Sequence, residues 1–316
     1  LKQLQYIEVK SEIAAGTRGA SLGIDALKVA SINLQSSYFI GYEAEEVQTE
    51  NQVLFEKHDT PNAKYVDTVY EIEQRVCDTV SNAMKGDKFP LVLAGDHSTA
   101  AGTISGIKDA NPEKRLGVIW IDAHADLHTP YTTPSGNMHG MPLAMVCGVD
   151  NLECKINDPS EKEVTYWNKI KAIGGAEAKI NIEDIVFVVA RDLEKPEIEL
   201  LKRHNIKNFT TDEVRTIGVE KVAEQALAIL SDCDMIYISF DVDSMDAALS
   251  MGTGTPVPNG LSVEEAIELN CLLVKDDKVC AWEIVEVNPT LDTVNMMAEN
   301  ALQVLEATTE VIKARL

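Results

Sequence analysis

Leu116-Gly117-Val118-Ile119-Trp120-Ile121-Asp122-Ala123-His124-Ala125-Asp126 changes character half-way along. Six uncharged residues give way to five in which an acid or an imidazole recurs at every second position. An apolar run without polar alternation reads as a strand buried on both faces. Four more runs have this form: Leu91 to Ala94, Ile185 to Ala190, Met235 to Phe240 and Val279 to Val285. Helical patterns lie between them. Val66, Val69, Ile72, Val76, Val80 and Met84 keep a three-to-four spacing that Gly86 ends, and Val219, Val222, Ala223, Ala226, Leu227 and Leu230 do the same. Ser262 and Glu265 make a capping box before Ala266, Ile267 and Leu273, and Val294 to Ile312 reads as a long closing helix. Strands alternating with helices predict the α/β class, with a mostly parallel central sheet covered on both faces. The more polar stretch 148–182 is expected to be a surface excursion. With no repeat and no dividing linker, the expected organisation is a single domain over 1–316.

Composition narrows the function. The 316 residues are 45% apolar, enough for a sizeable core. No run approaches the roughly 18 apolar residues of a membrane span, and no basic segment followed by an apolar one opens the chain, so neither a membrane partner nor secretion is expected. Six cysteines are scattered without a CxxC pair, which fits neither a disulfide framework nor a zinc knuckle and suits a cytoplasmic protein. Acids outnumber bases by 51 to 28, for a net charge of −23. That argues against a nucleic-acid partner and is compatible with a cationic substrate or bound metal ions. Most of these acids read as a solvated surface.

The residues just past each strand gather at one edge of the sheet. Gly95-Asp96-His97-Ser98 comes after the run at 91, and Arg191-Asp192-Leu193-Glu194 after the run at 185. Asp241-Val242-Asp243 and Glu286-Val287-Asn288-Pro289 come after the last two. Ligands of open parallel sheets bind outside the carboxyl ends of the strands. Residues two apart in extended chain face one side, so Asp122, His124 and Asp126 are expected to converge, as are Asp241 and Asp243. His97 completes a set of four carboxylates and two imidazoles. Four packed carboxylates would repel one another, and two divalent metals per chain remove that conflict. An oxygen-rich set with few imidazoles suits manganese, with zinc, iron or cobalt as the other options. A single D-x-H-x-D could be a solvated strand end, and His97 alone a structural histidine; the metal assignment comes from their combination. The loop Thr132-Thr133-Pro134-Ser135-Gly136-Asn137-Met138-His139-Gly140 is suited to hydrogen-bonding a polar substrate. Thr253-Gly254-Thr255-Pro256 reads as a mainly structural turn, with Thr255 its candidate substrate contact. His58 and His204 have no acid at ligand spacing and read as surface residues.

At these residues the chain resembles the arginase family of ureohydrolases. Gly95 to Ser98, Asp122 to Asp126, Ser135 to Gly140, Ser239 to Asp243 and Glu286 to Pro289 stand in family order, and the resemblance implies the family's three-layer α/β/α fold. It implies that His97, Asp122, Asp126 and Asp241 bind one manganese and Asp122, His124, Asp241 and Asp243 the other, Asp122 and Asp241 bridging. It implies further that Glu286 partners the guanidinium, that His139 shuttles protons, and that Asp126 carries a proton to the departing amine. Ser135 and Asn137 would hold an amino-acid carboxylate, with Asp192 and Glu194 near the α-amino group. The implied reaction takes a small cationic guanidino substrate, L-arginine, to urea and L-ornithine through a hydroxide shared by the two metals. The implied assembly is a homo-oligomer, a trimer or hexamer. His128 and Glu194 depart from the asparagine and aspartate usual in arginases, both at the amino-acid end of the substrate. The alternative is another ureohydrolase, an agmatinase, guanidinobutyrase or formiminoglutamase. A two-metal phosphoester hydrolase also uses D-x-H and D-x-D pairs but needs cations around its phosphate, and here only Arg191 joins the acids. A non-catalytic metal-binding module would tolerate a missing ligand, yet all six positions are filled.

Overall fold

Eight strands lie in one sheet in the order β2-β1-β3-β8-β7-β4-β5-β6. They are β1 (Gln3–Val9), β2 (Ala44–Glu46), β3 (Lys88–Ala94), β4 (Leu116–Ile121), β5 (Ile185–Val188), β6 (Lys207–Phe209), β7 (Met235–Asp241) and β8 (Val279–Val285). Every neighbouring pair is parallel. The computed structural model describes residues 3–175 and 178–316. Its helices are α1 (Gly23–Asn33), α2 (Val66–Lys85), α3 (Thr99–Ala110), α4 (Pro142–Cys147), α5 (Glu161–Lys171), α6 (Lys195–Arg203), α7 (Thr211–Ile217), α8 (Val219–Ile229), α9 (Val263–Leu273) and α10 (Met296–Arg315).

The period of two along each strand splits the apolar side chains between two cores. In β4, Val118 and Trp120 pack with Val76, Leu143, Trp167 and Leu200, so α2 and α4 to α6 cover that face. Ile119 and Ile121 pack on the other face with Ile24, Val214, Val222, Leu269 and Leu305 of α1 and α7 to α10. This is the expected α/β/α arrangement. Each Val, Leu or Ile buried this way contributes about 1.5–3 kcal/mol. On the first face α3 lies hard against α2: a Cβ on Gly102 would come within 2.7 Å of both Val76 Cβ and Glu73 Oε2. Among the described residues no helix is long and apolar enough to cross a membrane.

The structure corrects three expectations. Strand β5 stops at Val188, because Val189 adopts a left-handed φ of 64° and turns the chain out of the sheet. The stretch 148–182 is more than a surface excursion. Within it Ser160 and Glu163 form a capping box, and α5 buries Trp167 and Ile170 in the core. Ala176 and Glu177 of that stretch lie outside the described residues. His204 is half-buried and has an acid beside it after all, Glu183 Oε1 at 2.7 Å from Nδ1.

Candidate metal centre

The four central strands, β3, β8, β7 and β4, deliver the polar cluster at their carboxyl ends. His97 lies just past β3, its ring stacked on Trp120 at 4.1 Å and 4°. Ser239 Oγ, 2.7 Å from Nε2, fixes the ring's other edge. These contacts aim Nδ1 at three carboxylate oxygens: Asp122 Oδ2 at 3.0 Å, Asp241 Oδ2 at 3.1 Å and Asp126 Oδ2 at 3.2 Å. On the other side of Asp122, His124 Nδ1 lies 3.4 Å from Asp122 Oδ1 and 3.1 Å from Asp243 Oδ2. The two oxygens of Asp122 therefore face one imidazole each. The carboxylates converge through a tight loop rather than an extended strand: β4 ends at Ile121, and Asp126 takes a left-handed φ of 49°. A non-glycine residue held there costs about 1–3 kcal/mol.

The donor set fits divalent cations. His97 Nδ1 and Asp122 Oδ2 are buried and make no hydrogen bond, although anionic oxygens crowd the nitrogen. His97, Asp122 and Asp241 offer ligand atoms within 4.8 Å of one another, as do Asp122, His124 and Asp243. Burial works to raise Asp122, but its contacts with His124 and His97 outweigh it and hold the carboxyl below its ordinary range. Burial, then the Asp122 charge, pushes Asp126 up to about 7. Asp241 and Asp243 are raised by burial and by neighbouring carboxylates. Both histidines are raised because these acids outweigh desolvation of their rings. Two imidazoles do not balance four buried carboxylates, and a bound cation relieves that excess.

A pocket opens above the cluster, and its walls differ. Glu286 holds a left-handed φ of 68°, and its Oε1 accepts from the His97 N–H at 2.9 Å. His139 Nδ1 lies 3.0 Å from that same oxygen. Burial favours a neutral Glu286, yet His139 holds its carboxyl below the usual range. One wall carries Asp192, Glu194 and Glu197, with His128 among them. His128 Nε2 is 3.2 Å from Glu194 Oε2 and 3.6 Å from Glu197 Oε2. The 133–137 loop adds a wall of Thr133, Pro134, Ser135 and Asn137, which contains no acid. Thr255 Oγ1 donates to Asp243 Oδ2 at 3.2 Å, so this residue of the 253–256 turn reaches the cluster. Arg191 does not serve the pocket as an anion receptor. Its guanidinium donates to the carbonyls of Val189, Asp243, Met245, Val257 and Pro258.

The family model named Arginase family matches residues 7–309. The chain belongs to the arginase family. The arginase of Brevibacillus brevis is 36% identical over 309 residues, covering 97% of each chain. That of Bacillus subtilis strain 168 is 32% identical with the same coverage. Among solved structures, arginase from Bacillus caldovelox superposes with a TM-score of 0.81 at 31% identity, over 98% of each chain. Entamoeba histolytica arginase in complex with L-ornithine gives 0.80 at 27%, over 98% of this chain and 99% of that one. The chain is accordingly a ureohydrolase carrying candidate metal-ligand groups.

Three side chains bear on the geometry of this arginase-family site in ways that their local sequence does not reveal. Glu197 is buried and accepts the N–H groups of Leu127 and Glu194. Its one sequence signal is its place three residues after Glu194, at the start of α6. Lys64 bears no local signal, and Ser239, although it opens the motif that ends at Asp243, gives no sign of its partner; the partners, Asn137 and His97, are distant in sequence.

Proposed function

We propose that the protein is a binuclear manganese arginase, hydrolysing L-arginine to urea and L-ornithine. The polarity of the pocket carries this reading: a carboxylate-rich floor, one acidic wall and one wall of hydroxyls and an amide. A guanidinium suits the floor, an α-ammonium the acids, and an α-carboxylate the acid-free wall. Agmatine, which lacks the carboxylate, would leave that last wall without a partner. The names of the relatives agree with arginine as substrate.

His97, Asp122, Asp126 and Asp241 would hold one cation and Asp122, His124, Asp241 and Asp243 the other. Bound there, divalent ions supply acidified water at neutral pH. The protein's own groups do the rest. Glu286 Oε1 is committed to His97 and His139, which leaves Oε2 to accept charge-assisted hydrogen bonds from the guanidinium and hold its carbon in place. His139 is tethered through Nδ1, so Nε2 is the atom that exchanges protons with solvent. Asp126 turns Oδ2 to His97, leaving Oδ1 to pass a proton to the departing amine. Ser135 and Asn137 receive the carboxylate. Asp192 and Glu194 receive the ammonium, His128 steadies Glu194, and Thr255 steadies Asp243.

The deciding experiment strips the protein with chelator, restores manganese, zinc, cobalt or iron singly, and assays arginine, agmatine, guanidinobutyrate and formiminoglutamate. Urea from L-arginine with manganese should exceed every other combination. Faster turnover of agmatine or formiminoglutamate would overturn the substrate assignment.

A further inference from the structure

The acid-free wall has to attract a carboxylate into a protein of net charge −23, in a pocket that Asp192, Glu194 and Glu197 also line. Its neutral hydroxyls and one amide bring no net charge to oppose that excess. We propose that Lys64 determines specificity for the carboxylate end of the substrate, holding the Asn137 amide in its carboxylate-reading orientation and supplying the positive charge that this wall otherwise lacks. The proposal rests on the arginine reading above and deepens it.

Lys64 precedes α2, in a segment docked against the 133–140 loop. Its backbone N–H donates to the Gly136 carbonyl at 2.9 Å, and its Nζ donates to Asn137 Oδ1 at 2.9 Å. The segment is firmly mounted. The N–H groups of Asn62 and Ala63 donate to Glu163 Oε1 at 2.6 and 3.1 Å, and Glu163 is fully buried. On the loop side Gly136 takes a φ of +74°, and a Cβ there would run into the Pro61 carbonyl. Only glycine permits this approach. The Lys64 backbone is therefore fixed from two sides, and the ammonium is located by its contact with Asn137 Oδ1.

That placement has a chemical consequence. An asparagine amide can present its oxygen or its NH2 group. With Oδ1 held by an ammonium, Nδ2 becomes the presented group, which recognises an acceptor such as a carboxylate. Among the described residues Nδ2 donates to no protein atom. Gly16 leaves it room, since a Cβ there would come within 2.6 Å of Nδ2. Among the described residues Lys64 also has no carboxylate within 4 Å, so its charge is not spent on an ion pair. A lysine that merely pinned the loop would affect ligands with and without a carboxylate alike.

The test uses the full chain loaded with manganese, as wild type, Lys64→Met and Lys64→Arg. Calorimetric titration with L-ornithine and with putrescine, the same diamine lacking the carboxylate, separates the two roles and needs no turnover. Lys64→Met should weaken L-ornithine about tenfold, the scale of one charge-assisted contact, while putrescine shifts less than about twofold. KM for L-arginine should rise in parallel with kcat nearly unchanged, and Lys64→Arg should recover most of the loss. Equal weakening of both diamines, no weakening of L-ornithine, or a fall in kcat at constant KM would overturn the proposal. Failure of the arginine reading shows separately, as absence of urea release by the wild type on L-arginine. Lys64 is half-buried and outside both cores, and the arginine variant guards against a mere folding defect.

Discussion

Strand β4 carries charged groups at both of its ends, and the two ends are built on opposite plans. Before it, Arg115 donates through Nε and a terminal nitrogen to both oxygens of Asp184, at 2.8 and 2.6 Å, one cation matched to one anion. After it, Asp122 faces two imidazoles in the company of three further buried carboxylates. A matched pair adds to stability whether or not a ligand is present. An unmatched cluster lowers the stability of the bare protein and recovers it when cations bind. The contrast separates the end of the sheet that maintains the fold from the end to which the proposed function assigns the chemistry. Asp122→Asn strikes the second end at the one residue shared by both imidazoles. Activity should fall by more than about a hundredfold, since even an outer contact to a metal ligand is worth about 10–100-fold. Metal content measured by elemental analysis should fall with it. An Asp122→Asn protein retaining the wild type's metal content and turnover would remove the distinction between the ends.

The same contrast explains what the sequence could reveal. Central strands buried on both faces are predominantly apolar runs, so β4 and β8, the latter with only Glu283 interrupting it, were legible to the residue. The edges were not: β2 and β6 are three residues long, and Ala44-Glu45-Glu46 and Lys207-Asn208-Phe209 have no period to detect. The amphipathic α2 was legible, but α3 was not, because it is buried nearly all round and carries glycines where another helix would show leucines. At the site, ligands clustered within a few residues of a strand end stood out. The roles of Ser239, Glu197 and Lys64 did not, because each acts on a residue brought near only by folding or by the turn into α6. Periodicity reports burial and motif spacing reports local convergence; neither reports a contact made across the sheet.

A second test compares the ends through pH in the metal-stripped protein. Asp126 is raised from its ordinary 3.8 to about 7 by burial and then by Asp122. Its contribution to stability is complete below 3.8 and is lost as pH rises to about 7, because the folded state resists losing that proton. Asp126→Asn removes this loss. By urea denaturation the variant should exceed the wild type by about 1–3 kcal/mol at pH 8, the range for a buried group lacking its partner, and the gap should close near pH 4. A stripped wild type as stable as the variant at pH 8 would show that the cluster carries no excess charge.

Asp184→Asn, at the opposite end, has the smallest expected effect and the opposite slope. Burial works to raise Asp184, but Arg115 and Asn181 outweigh it and hold the carboxyl below 3.8. A lowered acid stabilises the fold above its unfolded value and ceases to do so as pH falls through its folded value. The variant should therefore be weaker than the wild type at pH 7 and converge with it in acid below 3.8. Arg115 is 45% exposed, so solvent screening keeps the loss to about 1 kcal/mol despite the bidentate geometry. Metal content and turnover per folded molecule should not change, since the pair precedes the strand whose far end bears the cluster. A loss of metal in Asp184→Asn would mean that strain passes along β4 from one end to the other, and the two ends would have to be treated as one coupled unit.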